Sequence, residues 1–371
     1  MIGPRIFKEE TDLPPGVIKQ DVFQKCLKEL FFVENTQLSK ADPEAEKLLE
    51  QYLIANKDQD VWIYFPWVNK AIRIVAEDLF FKLRTTRNLY LITTAEQANF
   101  RHLKVGIVGL SVGSGIFSNL VLSGGPKTIK IADFDAIEGT NLNRIQTSIL
   151  NIGSNKAEAA ARQIWECDPF ADIHVWSNGI SEGNIDNFIA GLPGQGEPKL
   201  DIFIDEMDDL YIKFLARIIC RQEGIPVIMA TDVGDMILLD VERFDLEPDR
   251  EPFHGFIKDV DPKDLKDKSR WVELSSKIIG PEFLPPRLQR SLLEKKDKKL
   301  SGVPQLGTTA MVAGAAVSLA IRRIASNQRM LSGRYIINLE AALTPDYNSE
   351  ENANLRLVQT HIFKEKLFGE T

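Results

Sequence analysis

Glycines, carboxylates and two cations follow one another between positions 109 and 156 in an order that suits a nucleotide site. Gly109-Leu-Ser111-Val-Gly113 comes directly after an apolar, strand-like run and opens a helix. Glycines let the main chain turn sharply and approach a phosphate, and the following helix offers free N–H groups. Ser111 stands where a regular G-x-G-x-x-G pattern has its second glycine. The turn predicts phosphate binding, and a structural turn without a ligand is the alternative.

Charged residues after the next strand limit which ligands the site could bind. Asp133 ends that strand, at about the distance where an acidic residue meets a nucleotide ribose. Asp135, Arg144 and Lys156 follow. Cations neutralise phosphate oxygens and carboxylates bind Mg²⁺, so this set suits a triphosphate and a metal ion better than a nicotinamide ring. An NAD-linked oxidoreductase is the alternative that the glycine turn and Asp133 alone allow.

The order of these motifs resembles that of the ThiF/MoeB-type adenylyltransferases, whose fold also occurs in ubiquitin-activating enzymes. That family reads roughly G-x-G-G-x-G, D-x-D, N-L-x-R-Q, a lysine and D-N. The matching residues after the glycine turn are Asp133, Asp135, Asn141-Leu-Asn-Arg144, Lys156 and Asp208. The departures are Ile145, Asp209 and Lys213. The two C-x-x-C zinc pairs of many members are absent from the sequence, as in a bacterial branch of the family.

This resemblance implies ATP-dependent adenylation of a carboxylate with release of pyrophosphate, using ATP and Mg²⁺ and no zinc. It implies that Arg144 and Lys156 bind phosphate oxygens and that Asp208 holds the metal ion. It also implies that Asp133 binds the ribose, that Asn141 orients a phosphate, and that Asp135 supports the metal ion or the loop. The nucleotide-binding set that it implies is Gly109, Ser111, Gly113, Asp133, Asp135, Asn141, Arg144 and Lys156.

A segment before these motifs carries two arginines. Leu83-Arg84-Thr-Thr-Arg87 resembles the family's R-Y-x-R-Q-I arm, whose second arginine reaches the ATP site of the other subunit. Arg87 is the matching residue, and a solvated charge at a helix end is the alternative. The resemblance therefore implies a homodimer in which Arg87 joins Arg144, Lys156 and Asp208 as a catalytic residue.

The substrate implied by the resemblance is a protein or peptide with a free C-terminal carboxylate, such as a ubiquitin-like or sulfur-carrier protein. A small acid and a modified tRNA base stay open as acceptors. A non-catalytic nucleotide-binding module of the same fold is a further alternative. The two cations beside the phosphate turn argue against it, because a copy without activity has no physical need for them.

The cysteines do not suggest a thioester nucleophile. Cys167 and Cys220 lie in helical segments where a buried thiol is the expected state, and Cys26 lies on a helix with a hydrophobic face. We therefore expect adenylation to need no cysteine. His254 is the histidine in a loop that could touch a substrate.

Composition limits the class of protein. The 371 residues include 45 Lys and Arg against 53 Asp and Glu, a net charge of −8, which argues against a nucleic-acid binder held by bulk positive charge. The longest apolar run, Met311 to Ile321, is too short to span a bilayer. The N-terminus does not resemble a secretory signal. We expect a cytoplasmic protein without membrane association.

Strand-like and helical segments alternate from Lys104 onward, which predicts an α/β fold with a Rossmann-like, mostly parallel sheet flanked by helices. We expect a small, mainly helical N-terminal region with the arginine arm over 1–95, a ThiF/MoeB-like adenylation domain over 96–345, and a weakly packed tail over 346–371. Ala71–Leu83 is predicted as a helix, and Asp259–Leu300 as a solvated loop and helix face or, alternatively, a mobile cover.

Overall fold

The N-terminal region is built on a small sheet. The computed structural model describes residues 3–192, 194, 196–300 and 302–369. Its first elements are the strands β1 (Arg5–Phe7), β2 (Ile18–Asp21), β3 (Asp60–Phe65) and β4 (Lys70–Val75), and the helices α1 (Phe23–Glu34), α2 (Pro43–Ala55) and α3 (Glu77–Thr85). The four strands pair in the order β1-β3-β4-β2. Only the β2–β4 pair is parallel.

The expectation of a mainly helical N-terminal region missed this sheet. The segment 71–83 is not one helix, because it is divided between β4 and α3. Ala76 takes an extended conformation between the two elements. Glu77 and Asp78 then open α3, where negative side chains suit the positive end of a helix. The apolar run before Ala76 pairs with β3 and buries Ala71 and Val75.

A seven-stranded sheet forms the centre of the remaining chain. Its strands are β5 (Lys104–Val108), β6 (Thr128–Ala132), β7 (Asp172–Trp176), β8 (Ile202–Asp205), β9 (Val227–Val233), β10 (Met236–Glu242) and β11 (Gly333–Asn338). They pair in the order β11-β10-β9-β8-β5-β6-β7. β5 to β9 are parallel and β10 is antiparallel to both its neighbours. The predicted Rossmann-like, mostly parallel sheet is confirmed.

Helices cover both faces of this sheet. They are α4 (Thr94–His102), α5 (Val112–Leu122), α6 (Lys156–Cys167), α7 (Ile185–Ala190), α8 (Leu210–Glu223), α9 (Trp271–Ile279), α10 (Pro286–Lys296), α11 (Gly307–Ala325), α12 (Leu339–Leu343) and α13 (Glu350–Phe368). One face packs against α5, α6 and α11. The other packs against α7 and α8. The carboxyl ends of β5, β6, β8 and β9 therefore meet at one edge, where α/β sheets bind ligands.

The apolar helix α11 is a core helix. By length and composition alone it could cross a membrane, but half of it is buried within the protein. Ala313, Val317 and Ile321 belong to the main core. It also lies against α5, because a Cβ atom on Gly115 would stand 2.9 Å from the main-chain oxygen of Ala310. Glycine at this position permits that approach, so α11 and α5 pack closely together.

One sequence expectation about the C-terminal third is wrong. The segment 259–300 is not mainly a solvated loop and helix face, because Leu284, Leu288 and Leu292 pack against the end of the sheet. The alternative of a mobile cover stays a prediction. The residues after 344, which were expected to pack weakly, form the helix α13, and most residues of that helix are exposed. Phe363 and Leu367 of that helix are buried in the same hydrophobic cluster. Apolar contacts thus hold both segments to β10 and its neighbours.

Candidate nucleotide-binding site

The glycine turn between β5 and α5 is tied to both neighbouring strands. Gly109 has a φ of +89°, and a Cβ atom there would overlap the main-chain oxygen of Glu206. Its N–H donates to the Ala132 oxygen at 2.9 Å. The next N–H, of Leu110, donates to Oδ2 of Asp133 at 2.7 Å. A side chain at position 109 would therefore displace the turn that opens α5.

Asp133 lies buried at the end of β6. Its Oδ2 accepts from Leu110, and its Oδ1 accepts from the Asp135 N–H at 2.9 Å. Burial raises the pKa of this carboxyl, while Lys156 and the two N–H donors act in the opposite direction. In the nucleotide-free protein the Asp133 carboxylate thus joins the glycine turn to the loop after β6. Its ribose contact stays a prediction.

Lys156 begins α6 beside this loop. Its Nζ lies 2.7 Å from Oδ2 of Asp135. The preceding residue, Asn155, caps the helix with Oδ1, which accepts from Ala157 and Glu158. Its Nδ2 donates to the main-chain oxygen of Asp133 at 2.9 Å. Asn155 is a positioning residue that the motif comparison missed, although an asparagine before a helical run is a recognisable cap.

Arg144 reaches back to the glycine turn. Its Nε donates to the Ser111 hydroxyl oxygen at 2.7 Å, and its Nη1 donates to Asn143 Oδ1 at 3.0 Å. Asn141 is buried, and its side chain accepts from the Glu138 N–H at 3.0 Å. Asn141 therefore closes the loop that presents Arg144. Its predicted contact with a phosphate stays a prediction.

Two residues that the sequence analysis did not select complete this side of the site. Ser111 donates to Gln305 Oε1 at 3.3 Å, and Gln305 Nε2 donates to Asp232 Oδ1 at 3.2 Å. Asp232 lies near the carboxyl end of β9. Burial raises its pKa to about 6, although the Gln305 bond and the Arg144 charge lower it. No family motif in the sequence pointed to either residue.

Asp208 lies exposed in the loop between β8 and α8. Trp271 anchors this loop by donating its Nε1–H to the Asp208 main-chain oxygen at 2.8 Å. Among the described residues, no group of three or more His, Cys, Asp or Glu is placed to bind a metal ion. A single exposed carboxylate nevertheless suits Mg²⁺, which keeps several waters and shares substrate phosphates. The metal assignment of Asp208 stays a prediction.

The Glu206 carboxyl lies beside the glycine turn. Glu206 accepts from the Ala230 N–H at 2.8 Å through Oε1. Desolvation raises the pKa of this carboxyl well above its ordinary value, while Lys213 and the Ala230 N–H act in the opposite direction. A hypothetical Cβ on Gly113 would come within 3.7 Å of Glu206 Cγ. Burial at this position therefore disfavours the charged form of Glu206.

A buried ion network holds the end of β8 in place. Asp205 accepts from Lys213 at 3.0 Å and from Arg217, and Arg217 Nε donates to Glu242 at 2.6 Å. Asp205, Arg217 and Glu242 are almost fully shielded from solvent. The Arg217 guanidinium also lies 3.8 Å from the Phe253 ring centroid. The network fixes the strand end from which the Asp208 loop departs.

The structure does not bring Arg87 to the nucleotide site of its own chain. Asn88, its neighbour, donates to the Ser123 oxygen at 3.2 Å, at the carboxyl end of α5. Ser111 precedes the other end of this 11-residue helix, which is about 16 Å long. Arg87 is exposed, and the described residues offer it no hydrogen bond or ion pair. Arg84, by contrast, pairs with Asp168 at 2.7 Å.

The cysteines and His254 lie outside this arrangement. Cys26 is buried, and so is Cys220, as expected, but Cys167 is exposed, so its predicted burial is wrong. It is the last residue of α6, after the buried Trp165. His254 contacts Asp240 at 3.1 Å and Arg250 at 2.8 Å. Neither contact belongs to the glycine turn.

Comparisons with known proteins agree with the motif pattern. A model of the ThiF family matches residues 83–344. A Mycobacterium tuberculosis protein described as uncharacterized is 39% identical over 287 residues, which are 76% of this chain and 38% of that protein. Ubiquitin-like modifier-activating enzyme 5 of Drosophila pseudoobscura pseudoobscura is 23% identical over 158 residues, which are 41% of this chain and 39% of the enzyme.

Among solved structures, the crystal structure of selenomethionine PaaA aligns with a TM-score of 0.49 and 19% identity. The alignment covers 71% of this chain and 77% of that chain. This chain spans less than two fifths of the length of the two curated relatives above.

Proposed function

This chain belongs to the ThiF family, and on that basis we propose that it adenylates a carboxylate with ATP and releases pyrophosphate. The observation that carries the proposal is the contact network around the glycine turn. Arg144 binds Ser111 within the turn. Lys156 binds Asp135, whose N–H in turn binds Asp133. Two cations thus stand at the ligand-binding edge of the sheet, where a triphosphate needs them.

In the proposed reaction, a carboxylate oxygen attacks the α-phosphorus of ATP. The bond from that phosphorus to the oxygen bridging the β-phosphate breaks, and pyrophosphate leaves with the electron pair. The product is an acyl adenylate, and no proton is transferred. The protein has to bring two anions together and neutralise their charge. Arg144, Lys156 and the first N–H groups of α5 supply that neutralisation.

Asp133 and Asp208 take the remaining roles. Each oxygen of Asp133 accepts one main-chain N–H and keeps a lone pair for a ribose hydroxyl. Asp208 holds Mg²⁺, and its exposure leaves room for waters and phosphate oxygens on the same ion. When bound, Mg²⁺ neutralises charge on the triphosphate oxygens.

Arg87 completes the site of a second copy in a homodimer. Its position at the far end of α5 supports action in trans, because the glycine turn of the same chain is about 16 Å away. The residues that follow are apolar and exposed: Leu89 is 52% exposed, Tyr90 100% and Leu91 85%. Such a patch suits a contact with another protein surface.

The substrate is a protein or peptide with a free C-terminal carboxylate. The name of the relative that activates ubiquitin-like modifiers supports this class. A small acid remains the alternative, since the two cations recognise phosphate and not the remainder of the acyl group. The cytoplasmic location stays a prediction.

An exchange experiment tests the proposal. The protein is incubated with ATP, Mg²⁺, labelled pyrophosphate and candidate carboxylates, including proteins encoded by neighbouring genes. Label should enter ATP only when the matching carboxylate is present. Thermal stabilisation by NAD with none by ATP would instead favour the oxidoreductase. ATP binding with no exchange for any carboxylate would favour the non-catalytic module.

A further inference from the structure

Gln305 joins three segments that are far apart in sequence. It lies just before α11 and accepts the Ser111 hydroxyl, 194 positions earlier. Its Nε2 donates to Asp232, and its main-chain oxygen accepts from Asn143 Nδ2 at 2.9 Å. One residue therefore contacts the glycine turn, the loop that carries Arg144, and the end of β9.

These contacts have a fixed polarity. The Asp232 carboxylate can only accept when ionised, so it orients Gln305 with Nε2 toward it and Oε1 away. The Ser111 hydroxyl then donates to Oε1, which turns the lone pairs of Ser111 toward the Arg144 Nε–H. Such chains strengthen each bond in them because each group polarises the next.

The polarity also explains an unusual feature of Ser111. It is the residue that precedes α5, where a serine ordinarily accepts a hydrogen bond from one of the first N–H groups of the helix. The Ser111 side chain makes no such bond. Its oxygen binds Arg144 instead, so the first N–H groups of α5 keep no side-chain cap from Ser111.

We propose that Gln305 is a positioning residue of the nucleotide site, because it holds the Ser111 hydroxyl where it fixes Arg144 and leaves the start of α5 open to phosphate. This inference rests on the proposed function of that site. Gln305 itself touches neither phosphate nor acyl group in this role. Asp232 acts through Gln305. Asn143 and Arg144 lie in the loop that Gln305 and Ser111 contact.

The burial of Asp232 supports the same conclusion. Its carboxyl is kept in a place where desolvation raises its pKa, and the Gln305 donor is the largest influence that lowers it. Arg144 and Asp208 are the charged groups that act on it from neighbouring loops, and its charge in turn raises the pKa of Glu206, which follows β8. A half-buried carboxyl that served only packing would be better replaced by an apolar side chain.

The first test measures ATP affinity by calorimetry in Gln305 variants. Gln305→Leu should weaken ATP binding by about tenfold, the effect of a lost buried hydrogen bond. Gln305→Leu added to Arg144→Ala should cause no further loss, since Gln305 acts through Arg144. Additive losses would overturn the proposal, because they would give Gln305 a role independent of Arg144.

An exchange of donor and acceptor provides the rescue. Gln305→Glu alone places two carboxyl groups together and should weaken ATP binding. Gln305→Glu with Asp232→Asn restores one carboxylate and one amide, so affinity should return to within about threefold of the original protein. If the double variant binds ATP no more tightly than Gln305→Glu alone, that result would contradict the proposed polarity. Gln289→Leu is the matched control, because Gln289 is a buried amide that bonds Leu284 and Thr360.

The second test needs no nucleotide. The Nε–H signal of Arg144 is followed by NMR in protein with ¹⁵N-labelled arginine and is assigned by its loss in Arg144→Ala. Gln305→Leu should shift this signal and speed its exchange with water, and the double variant Gln305→Glu with Asp232→Asn should return it. An unchanged signal in Gln305→Leu overturns the proposal. If the original protein fails to bind ATP, the proposed function fails while this measurement still decides the role of Gln305.

Discussion

Lys156 Nζ and Asp135 Oδ2 lie 2.7 Å apart and form an ion pair at the start of α6. The lysine is mostly shielded, whereas about half of the aspartate side chain is exposed. A triphosphate carries more negative charge than one carboxylate, so it competes well for the same ammonium group. The pair therefore keeps a cation at the site, and Asp135 neutralises the charge of Lys156 when no nucleotide is bound.

Removal of either phosphate-binding cation should slow the reaction while the fold survives. Lys156→Ala and Arg144→Ala should each lower pyrophosphate exchange by roughly a hundred to a thousand times, the usual effect of losing one preorganised charge contact. Arg162→Ala is the matched control, because Arg162 lies on the same helix and, within the described part of the chain, forms its ion pair with the partly exposed Glu158. Unchanged turnover in one of the two variants would remove that residue from the mechanism.

Mixing two inactive proteins tests whether Arg87 acts in trans. Arg87→Ala and Lys156→Ala are combined under conditions where subunits exchange. In a mixed dimer, one site then carries both lesions and the other carries neither, so activity should reappear. A mixture that stays inactive would indicate action in cis, and a monomer by light scattering would contradict the homodimer.

Asp208→Asn should mainly change the response to metal. We expect a higher Mg²⁺ concentration for half-maximal exchange, because an amide oxygen binds Mg²⁺ more weakly than a carboxylate. Asp209→Asn is the control. Asp209 caps α8 through the Ile212 N–H, and asparagine caps a helix equally well. A metal response unaltered in Asp208→Asn would contradict the ligand assignment.

Arg217→Met should destabilise the protein by about 3–5 kcal/mol in denaturant unfolding, because it leaves Asp205 and Glu242 buried without their shared partner. Arg162→Met, at a partly exposed pair within one helix, should change the free energy of unfolding by less than about 1 kcal/mol. If both substitutions change the free energy of unfolding by the same small amount, the prediction for the buried ion network is contradicted.

Asp232→Asn should stabilise the protein in a manner that depends on pH. The folded-state pKa of about 6 lies above the ordinary 3.8, so the folded protein binds the proton more tightly than the unfolded chain. The original protein therefore loses stability as pH rises from about 4 to above 6, and the asparagine variant does not. The advantage of the variant should approach about 1–3 kcal/mol at pH 8 and vanish near pH 4. Unfolding curves at pH 4, 6 and 8 measure it, and a constant difference would contradict the assignment.

Local patterns predicted the sheet and several of the residues that lie around the glycine turn. Gly109, Asp133 and Lys156 belong to one continuous stretch in which strands, a turn and a helix follow each other with clear periodicity. The main chain then brings them together, because parallel strands end at the same edge. The Rossmann-like sheet could be predicted for the same reason.

Other features depend on contacts that sequence patterns do not record. Gln305 lies 73 positions from Asp232 and in no regular element, so only the folded chain joins them. The strand Lys70–Val75 was not predicted because its apolar residues continue directly into those of α3. The helix α13 was not predicted because it buries only Phe363 and Leu367.

The length of the 11-residue helix α5 sets the distance between the features at its two ends. One end carries the phosphate turn, the other holds Asn88 beside Arg87, and Gly115 lies against α11 between them. Inserting one residue would advance the far end by about 1.5 Å and rotate it by about 100°, which would carry a bulkier side chain into the α11 contact. Surface loops can change length during evolution, but the length of this helix is fixed by what each end must hold.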